Sequence, residues 1–215
     1  LTRQPGTLKF WYAGPMFRHD RPQAGRYRQF HQVGVEALGS DSPVLDAEVI
    51  QTLLALFDAV DARGLTLLLN SIGCPGCRPE FVASLRRYLA ERRDAIPPAL
   101  QERIDTNPLR LYDAKDEVVQ EIMAGHAPIS EHLCEDCRDH HAEVTACLDD
   151  LEIAYEEDAT LVRGLDYYAR TTFEVTARSE RKQSSLAGGG RYDGLVQQCG
   201  GPPTPGIGFS LGVER

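Results

Sequence analysis

Residues 10–17 form an apolar stretch that runs into Arg18, His19 and Asp20, breaks at Arg21-Pro22-Gln23-Ala24-Gly25, and resumes over 27–35. Two strand-length runs around a segment of turn formers leave few options, and a strand–loop–strand hairpin is expected. Its loop end is crowded with Arg18, Arg21, Arg26 and Arg28 against Asp20 alone, in a chain whose 23 basic and 32 acidic residues leave a net charge of −9. A local reversal of sign on that scale is a poor fit to a solvated surface run. At the two-residue strand period Phe30, Gln32 and Glu36 share a face, with Arg18 near the end of the facing strand. An aromatic surface beside guanidinium forks suits the base and phosphates of a nucleotide triphosphate.

Beyond the hairpin, Ser42-Pro43 reads as a helix N-cap followed by proline at the first helical position. Leu45, Val49, Leu53, Leu56, Phe57 and Val60 keep helical spacing, and Gly64 is the expected stop. Residues 65–72 are a continuous apolar run, as in a buried strand. From Cys74 to Glu152 the sequence turns polar and helix-prone, broken by Pro97-Pro98, Pro108 and Pro128, with helices expected over 79–93, 115–123 and 130–150. Strand patterns return at 153–155, 161–162, 171–177 and 183–186. Gly188 to Gly190 then precede a helix expected over 192–199; they serve tight strand packing better than a phosphate cradle. The order of elements predicts an α+β fold, a mostly antiparallel sheet flanked by helices with a helical insertion. Its divisions are a first core part over 1–73, a helical insertion over 74–152 and a second core part over 153–215. No Walker loop or Gly-x-Gly-x-x-Gly turn is present, which disfavours those nucleotide folds.

The net charge gives no bulk attraction to nucleic acid. No apolar run nears the roughly 20 residues needed to span a bilayer, and no signal peptide is visible, so a cytoplasmic location is expected. Four of the six cysteines form two pairs, Cys74-Pro-Gly-Cys77 and Cys134-Glu-Asp-Cys137. A disulfide framework is not expected in the cytosol. The two pairs either converge on a structural tetrathiolate zinc site, with His140 or His141 as possible substitutes, or sit apart on a loop and a helix. Cys147 and Cys199 read as ordinary cysteines.

Four blocks carry a resemblance. Residues 14–32, GPMFRHDRPQAGRYRQFHQ, resemble motif 2 of class II aminoacyl-tRNA synthetases in its histidyl form. Leu161-Val-Arg-Gly-Leu-Asp-Tyr-Tyr168 and Ala187-Gly-Gly-Gly-Arg-Tyr-Asp-Gly-Leu195 resemble that family's histidine-specific segments. Residues 206–215, GIGFSLGVER, resemble the opening of motif 3. The blocks stand in the family's order and span nearly the whole chain, which starts at Leu1 and so is expected to be an internal piece of a longer protein.

The resemblance implies ATP-dependent activation of L-histidine to histidyl-adenylate, transfer to the 3′ end of tRNA(His), magnesium carried by the ATP phosphates, and a homodimeric parent. It assigns Arg18 to the α-phosphate and the histidine carboxylate, Arg26 to the distal phosphates, Phe30 to adenine and Arg215 to the γ-phosphate. Asp20 stands where the family often has glutamate, as an ATP contact with a shorter arm. Arg163 is assigned to adenylate formation, holding the histidine carboxylate and the α-phosphate together in place of the metal ion other class II enzymes use. For the amino acid, Gln32 matches a contact to the α-amino end, Glu36 and Tyr168 match the imidazole partners, Tyr167 lies beside the pocket and Tyr192 closes its wall. The insertion corresponds to a module near the tRNA acceptor arm, although its many acids argue against direct phosphate gripping. The alternative is a non-catalytic regulatory paralogue of the same fold that binds histidine without adenylation. The joint presence of Arg18, Gln32, Glu36, Arg163 and Tyr168 favours the enzyme.

Overall fold

The hairpin forms as β1 (Leu8–Phe17) and β2 (Gln29–Leu38), antiparallel in unbroken register from Leu8 opposite Leu38 to Phe17 opposite Gln29. The structure is a computed structural model that describes residues 6–19, 27–114, 116–162, 167–177 and 185–214. The remaining strands are β3 (Leu65–Ser71), β4 (Glu156–Glu157), β5 (Ala169–Ala177), β6 (Ser185–Arg191) and β7 (Gly206–Gly212). They make one seven-stranded sheet in the order β1-β2-β7-β6-β5-β3-β4. Every pairing is antiparallel except β3 with β4, so the expected α+β class is observed.

Helix α1 (Pro43–Ala59) starts with proline where a missing N–H costs nothing, and buries Leu45, Val49, Leu53 and Phe57 at every fourth position. It stops before Val60, which is exposed, and Gly64 is not what ends it. Asp61 takes the left-handed conformation (φ 56°), letting Ala62 N–H reach Phe57 C=O and Asp61 N–H reach Asp58 C=O, both at 3.0 Å. Aspartate tolerates that conformation better than most residues, and these two bonds satisfy the last carbonyls.

Residues 74–152 hold α2 (Arg78–Ala90), α3 (Pro98–Thr106), α4 (Glu117–Ala124) and α5 (Glu135–Asp150). The pattern of breakers hid α3, because Pro98 begins a helix instead of interrupting one. The run expected over 130–150 is split. A 3-10 turn over Ile129–His132 precedes Cys134, which caps α5.

Two apolar clusters result. The first packs α1 and the later turns of α5 (Val144, Leu148) on the sheet face carrying Val35, Ala37, Phe173, Val175, Ile207 and Phe209. The second joins α2, α3 and α4 to Ile72, Tyr168 and Tyr192. Strand alternation therefore sends Val35 and Ala37 of β2 and Ile207, Phe209 and Leu211 of β7 into the core, and the even positions, Phe30 to Glu36 and Gly206 to Gly212, to the opposite face. Gly188, Gly189 and Gly190 lie inside β6, and the helix expected next is only the short α6 (Leu195–Gln198). A Cβ on Gly189 would stand 2.2 Å from Gly208 O and 2.5 Å from the Phe173 ring, so glycine is what lets β6 lie flat between its neighbours. The expected strand at 153–155 is displaced to β4, and Leu161 and Val162 are outside any strand.

One buried ionic cluster fastens these parts. Asp46 on α1 and Arg191 at the end of β6 are both fully buried and make a direct ion pair. Arg191 Nε donates to Asp46 Oδ1 and Oδ2 at 3.1 and 3.2 Å, and its other nitrogens donate to Ser40 O, Ser42 O and Asp193 Oδ1. Thr171 Oγ1 donates to Asp46 Oδ2 at 2.6 Å, and His140 Nε2 lies 2.8 Å from the same oxygen. Because Arg170 Nη1 sits 3.3 Å from His140 Nδ1 and can only donate, Nδ1 accepts and Nε2 carries the proton toward Asp46. Burial pushes the Asp46 carboxyl up, but His140, Arg191 and Thr171 outweigh it, and its pKa lies below the ordinary 3.8. Stability from this group is present above pH 3.8 and is lost as pH falls through the lowered value. Removing one partner of such a pair strands a buried charge. Asp46→Asn is expected to cost about 3–5 kcal/mol of unfolding free energy in urea titrations at pH 7, with the deficit shrinking in strong acid. A loss below about 1 kcal/mol would mean that Arg191 finds another counter-charge.

Candidate functional site: two adjoining clefts on the open sheet face

The first cleft is set by the hairpin's loop end. Arg18 N–H donates to Arg28 C=O at 2.8 Å, adding one rung beyond β1 and β2. Arg18, Phe30, Gln32, Ser210 and Gly212 line a cleft of about 180 Å³. The Arg18 guanidinium carbon stands 3.6 Å above the Phe30 ring centroid, a cation–π contact that holds the charge over the ring expected to face adenine. Glu214 closes one side. Its carboxylate accepts from His31 N–H at 2.7 Å and lies 2.9 Å from His31 Nδ1, and these bonds hold it below the usual carboxylate range. Asp20, Arg26, Arg163 and Arg215, also expected here, lie outside the described residues.

The second cleft, of about 430 Å³, is built around Glu36. Tyr12 on β1 donates to Glu36 Oε1 at 3.4 Å, and Tyr192 donates to Oε2. Tyr167 and Tyr168 complete the wall, with ring centroids 4.9 Å apart, and the Tyr167 ring stands edge-on to Tyr192 at 6.3 Å. Among the described residues no cation pairs with Glu36. Burial raises its pKa, and the two phenols lower it only in part. The same burial, with the Glu36 charge, pushes Tyr12 up to about 12 and raises Tyr192 further. Both phenols therefore stay protonated donors near neutral pH.

The clefts meet at Ser210, which lines both, and Gln32 Nε2 donates to its Oγ at 3.3 Å. Gly208, opposite Glu36 across β2 and β7, makes the carboxylate's position possible: a Cβ there would stand 2.0 Å from Oε2 and 2.5 Å from Val35 O. The arrangement can hold a molecule with N–H donors or positive charge at one end and anionic groups at the other.

The structure thus brings Arg18, Phe30, Gln32, Glu36, Tyr167, Tyr168 and Tyr192 to one continuous surface. Sequence reasoning missed Tyr12 and Ser210. The signal for Tyr12 was Gly34, its partner opposite, where a Cβ would stand 2.3 Å from the tyrosine ring. The Asp46–Arg191 pair, which precedes Tyr192 and sets that strand end, was also missed.

The four paired cysteines converge, with all four sulfurs within 4.8 Å of one another. His140 and His141 are not among them. His140 is committed to Asp46, and His141 lies 3.1 Å from Glu157. No helix among the described residues is long and apolar enough to cross a membrane.

Comparison with known proteins shows the family and the fold. A family model for histidyl-tRNA synthetase matches residues 1–215. The chain is 49% identical over 211 residues to the histidine–tRNA ligase of Desulfitobacterium hafniense, covering 98% of this chain and 50% of that one. It is 49% identical over 216 residues to that of Natranaerobius thermophilus, covering 100% and 51%. The apo histidyl-tRNA synthetase of S. aureus superposes with a TM-score of 0.78 at 35% identity, over 100% of this chain and 51% of that one. A Bacillus halodurans structure described as an ATP phosphoribosyltransferase regulatory subunit/histidyl-tRNA synthetase shares the fold, with a TM-score of 0.65 and 20% identity over 96% and 57%. The chain spans about half the length of the curated relatives it matches. It belongs to the histidyl-tRNA synthetase family.

Proposed function

We propose that the parent protein activates L-histidine with ATP and transfers it to the 3′ end of tRNA(His), and that the two adjoining clefts are its adenylation site. One observation carries this reading. Glu36 is a half-buried carboxylate met by two phenol donors and by no cation among the described residues, next to a cleft that presents Arg18. A ligand with a protonatable ring N–H would complete the first and a phosphate the second. An apolar side chain of similar shape would desolvate Glu36 further and leave it only its two phenol donors, which is a strong basis for selectivity.

In this reading Glu36 and Tyr168 take the two imidazole nitrogens, Tyr167 and Tyr192 wall the ring, and Gln32 receives the α-amino end. The histidine carboxylate oxygen attacks the α-phosphorus of ATP, the bond to the pyrophosphate oxygen breaks, and magnesium leaves with the pyrophosphate. Arg18 and Arg163 neutralise the charge that spreads over the equatorial oxygens. Arg26, Asp20 and Arg215 hold the rest of the nucleotide, and Phe30 stacks the base. Stacking on the face that Arg18 now covers requires the guanidinium to swing toward the phosphates. The adenylate carbonyl is then attacked by a terminal ribose hydroxyl of the tRNA, releasing AMP. Residues 74–152 are the insertion module of this enzyme, with α5 shared between both apolar clusters. The parent is a cytoplasmic homodimer, and any zinc it carries belongs to the cysteines and takes no part in the chemistry.

Histidine-dependent exchange of pyrophosphate into ATP, measured on the intact parent, tests the assignment. Arg163→Ala is expected to lower exchange by about a hundredfold or more with histidine binding kept; undiminished exchange would remove Arg163 from the mechanism. Glu36→Gln separates function from stability. The raised Glu36 pKa means the native state loses stability as pH rises from the ordinary 4.5 through the raised value. The variant is therefore expected to melt roughly 2–4 °C higher at pH 7, to lose that advantage below pH 4.5, and to lose histidine binding. A lower melting point at pH 7 would show that the carboxylate stabilises the fold.

A further inference from the structure

We propose that Cys74, Cys77, Cys134 and Cys137 bind one zinc ion as four thiolates, and that this ion braces the Tyr168 wall of the second cleft. The sulfur separations come first. Cys74 to Cys77 is 3.7 Å, Cys74 to Cys134 is 3.9 Å and Cys77 to Cys137 is 3.9 Å. A tetrahedron with zinc–sulfur bonds of about 2.3 Å has edges of about 3.8 Å. Disulfides need sulfurs about 2.0 Å apart, and all four cysteines are unbridged. The two pairs come from segments sixty residues apart, so their convergence reflects tertiary structure and not chain proximity.

Backbone donors complete the case. Cys74 N–H points to Cys77 Sγ and Gly76 N–H to Cys74 Sγ, both at 3.3 Å, and amides aimed at sulfur stabilise thiolate charge. Four soft ligands select zinc over the hard magnesium that accompanies ATP. With all four positions taken by protein, no coordination site remains for a substrate, so the ion is structural. Cys77 and Cys137 are buried while Cys74 and Cys134 are partly open, which gives the metal a way in.

The position of the site gives it a mechanical role. Cys74 follows β3, Cys77 begins α2, and Cys134 and Cys137 begin α5, so one ion ties three elements. Gly73 C=O accepts from Arg170 N–H at 2.9 Å, and Ile72 N–H donates to Arg170 C=O at 2.8 Å. Arg78, next to Cys77, donates through Nη2 to the Tyr168 carbonyl at 2.6 Å. The path from metal to cleft is therefore Cys77, Arg78, Tyr168. This second half rests on the reading of the cleft as the histidine pocket only for its consequence in binding; the bracing itself does not.

Elemental analysis of the chain, purified without added chelator, is expected to give one zinc per chain, with only Cys147 and Cys199 reacting rapidly with a thiol reagent. Metal-free protein with all six thiols reactive, or with the four cysteines in disulfides, would overturn the site. Stripping zinc with a chelator is expected to raise hydrogen–deuterium exchange over 167–173, with reversal on zinc return. Arg78→Ala is expected to keep one zinc and raise exchange over the same residues. Unchanged exchange in both experiments would overturn the brace while leaving the site. Histidine affinity measured on the same samples is expected to fall at least fivefold without zinc. Failure of the zinc-loaded parent to bind histidine would count against the proposed function alone.

Discussion

The buried pair of Asp46 and Arg191 is the contact on which the other positions depend. It joins the helix layer to the centre of the sheet, and everything around it is satisfied: Thr171, His140, Asp193 and two backbone carbonyls take up the remaining donors and acceptors. Burying two charges is expensive, and the mutual attraction repays it only with a full set of hydrogen bonds. Here the set is full. The residue after Arg191 is Tyr192, so the pair also fixes where one donor to Glu36 stands. His140 extends the same network to α5, and Arg170 continues it to β5, which follows directly on Tyr168. Arg170 holds a left-handed backbone (φ 55°) at a break in the β5–β6 register. Such strain persists only where surrounding bonds over-determine it, and here its N–H and C=O are both tied to the end of β3.

Much of this was legible in the chain. The hairpin announced itself because two-residue alternation and turn residues agreed, and Phe30, Gln32 and Glu36 fell on one face for the same reason. The first helix was legible from its four-residue spacing. Its end was not, because Asp61 performs the left-handed turn usually read from glycine. Helix α3 was hidden by the double meaning of proline, which breaks a helix inside and starts one at its first position. The glycine run of β6 was readable as close packing, but not as a strand interior, since that depends on what lies on either side. Asp46 and His140 illustrate the hardest case. Asp46 looks like an ordinary polar position on an amphipathic helix and His140 like a possible substitute zinc ligand, and only the tertiary approach of Arg191 and Thr171 gathers them into one buried cluster.

A buried carboxylate and a half-buried one separate structure from function. Asp46 lies on α1, packed on the sheet, and Glu36 on β2 within it; the first is drawn fully out of water and the second in part. Around Asp46 the partners overcompensate the cost of burial, and its pKa falls. Around Glu36 two phenols compensate only in part, and its pKa rises. A fold selected for stability alone has no use for the second arrangement, since an amide or an apolar side chain would serve better. In the proposed function the bound ligand removes that cost. Among the described residues Glu36 has no partner of positive character within its ring-sized slot of tyrosines, and Arg18 in the adjoining cleft offers charge of that sign. A molecule that satisfies both must carry a basic ring at one end and an acidic group at the other, and must lie across Ser210. Histidine joined through its carboxylate to a nucleotide phosphate meets each of those conditions, whereas free ATP meets only the second.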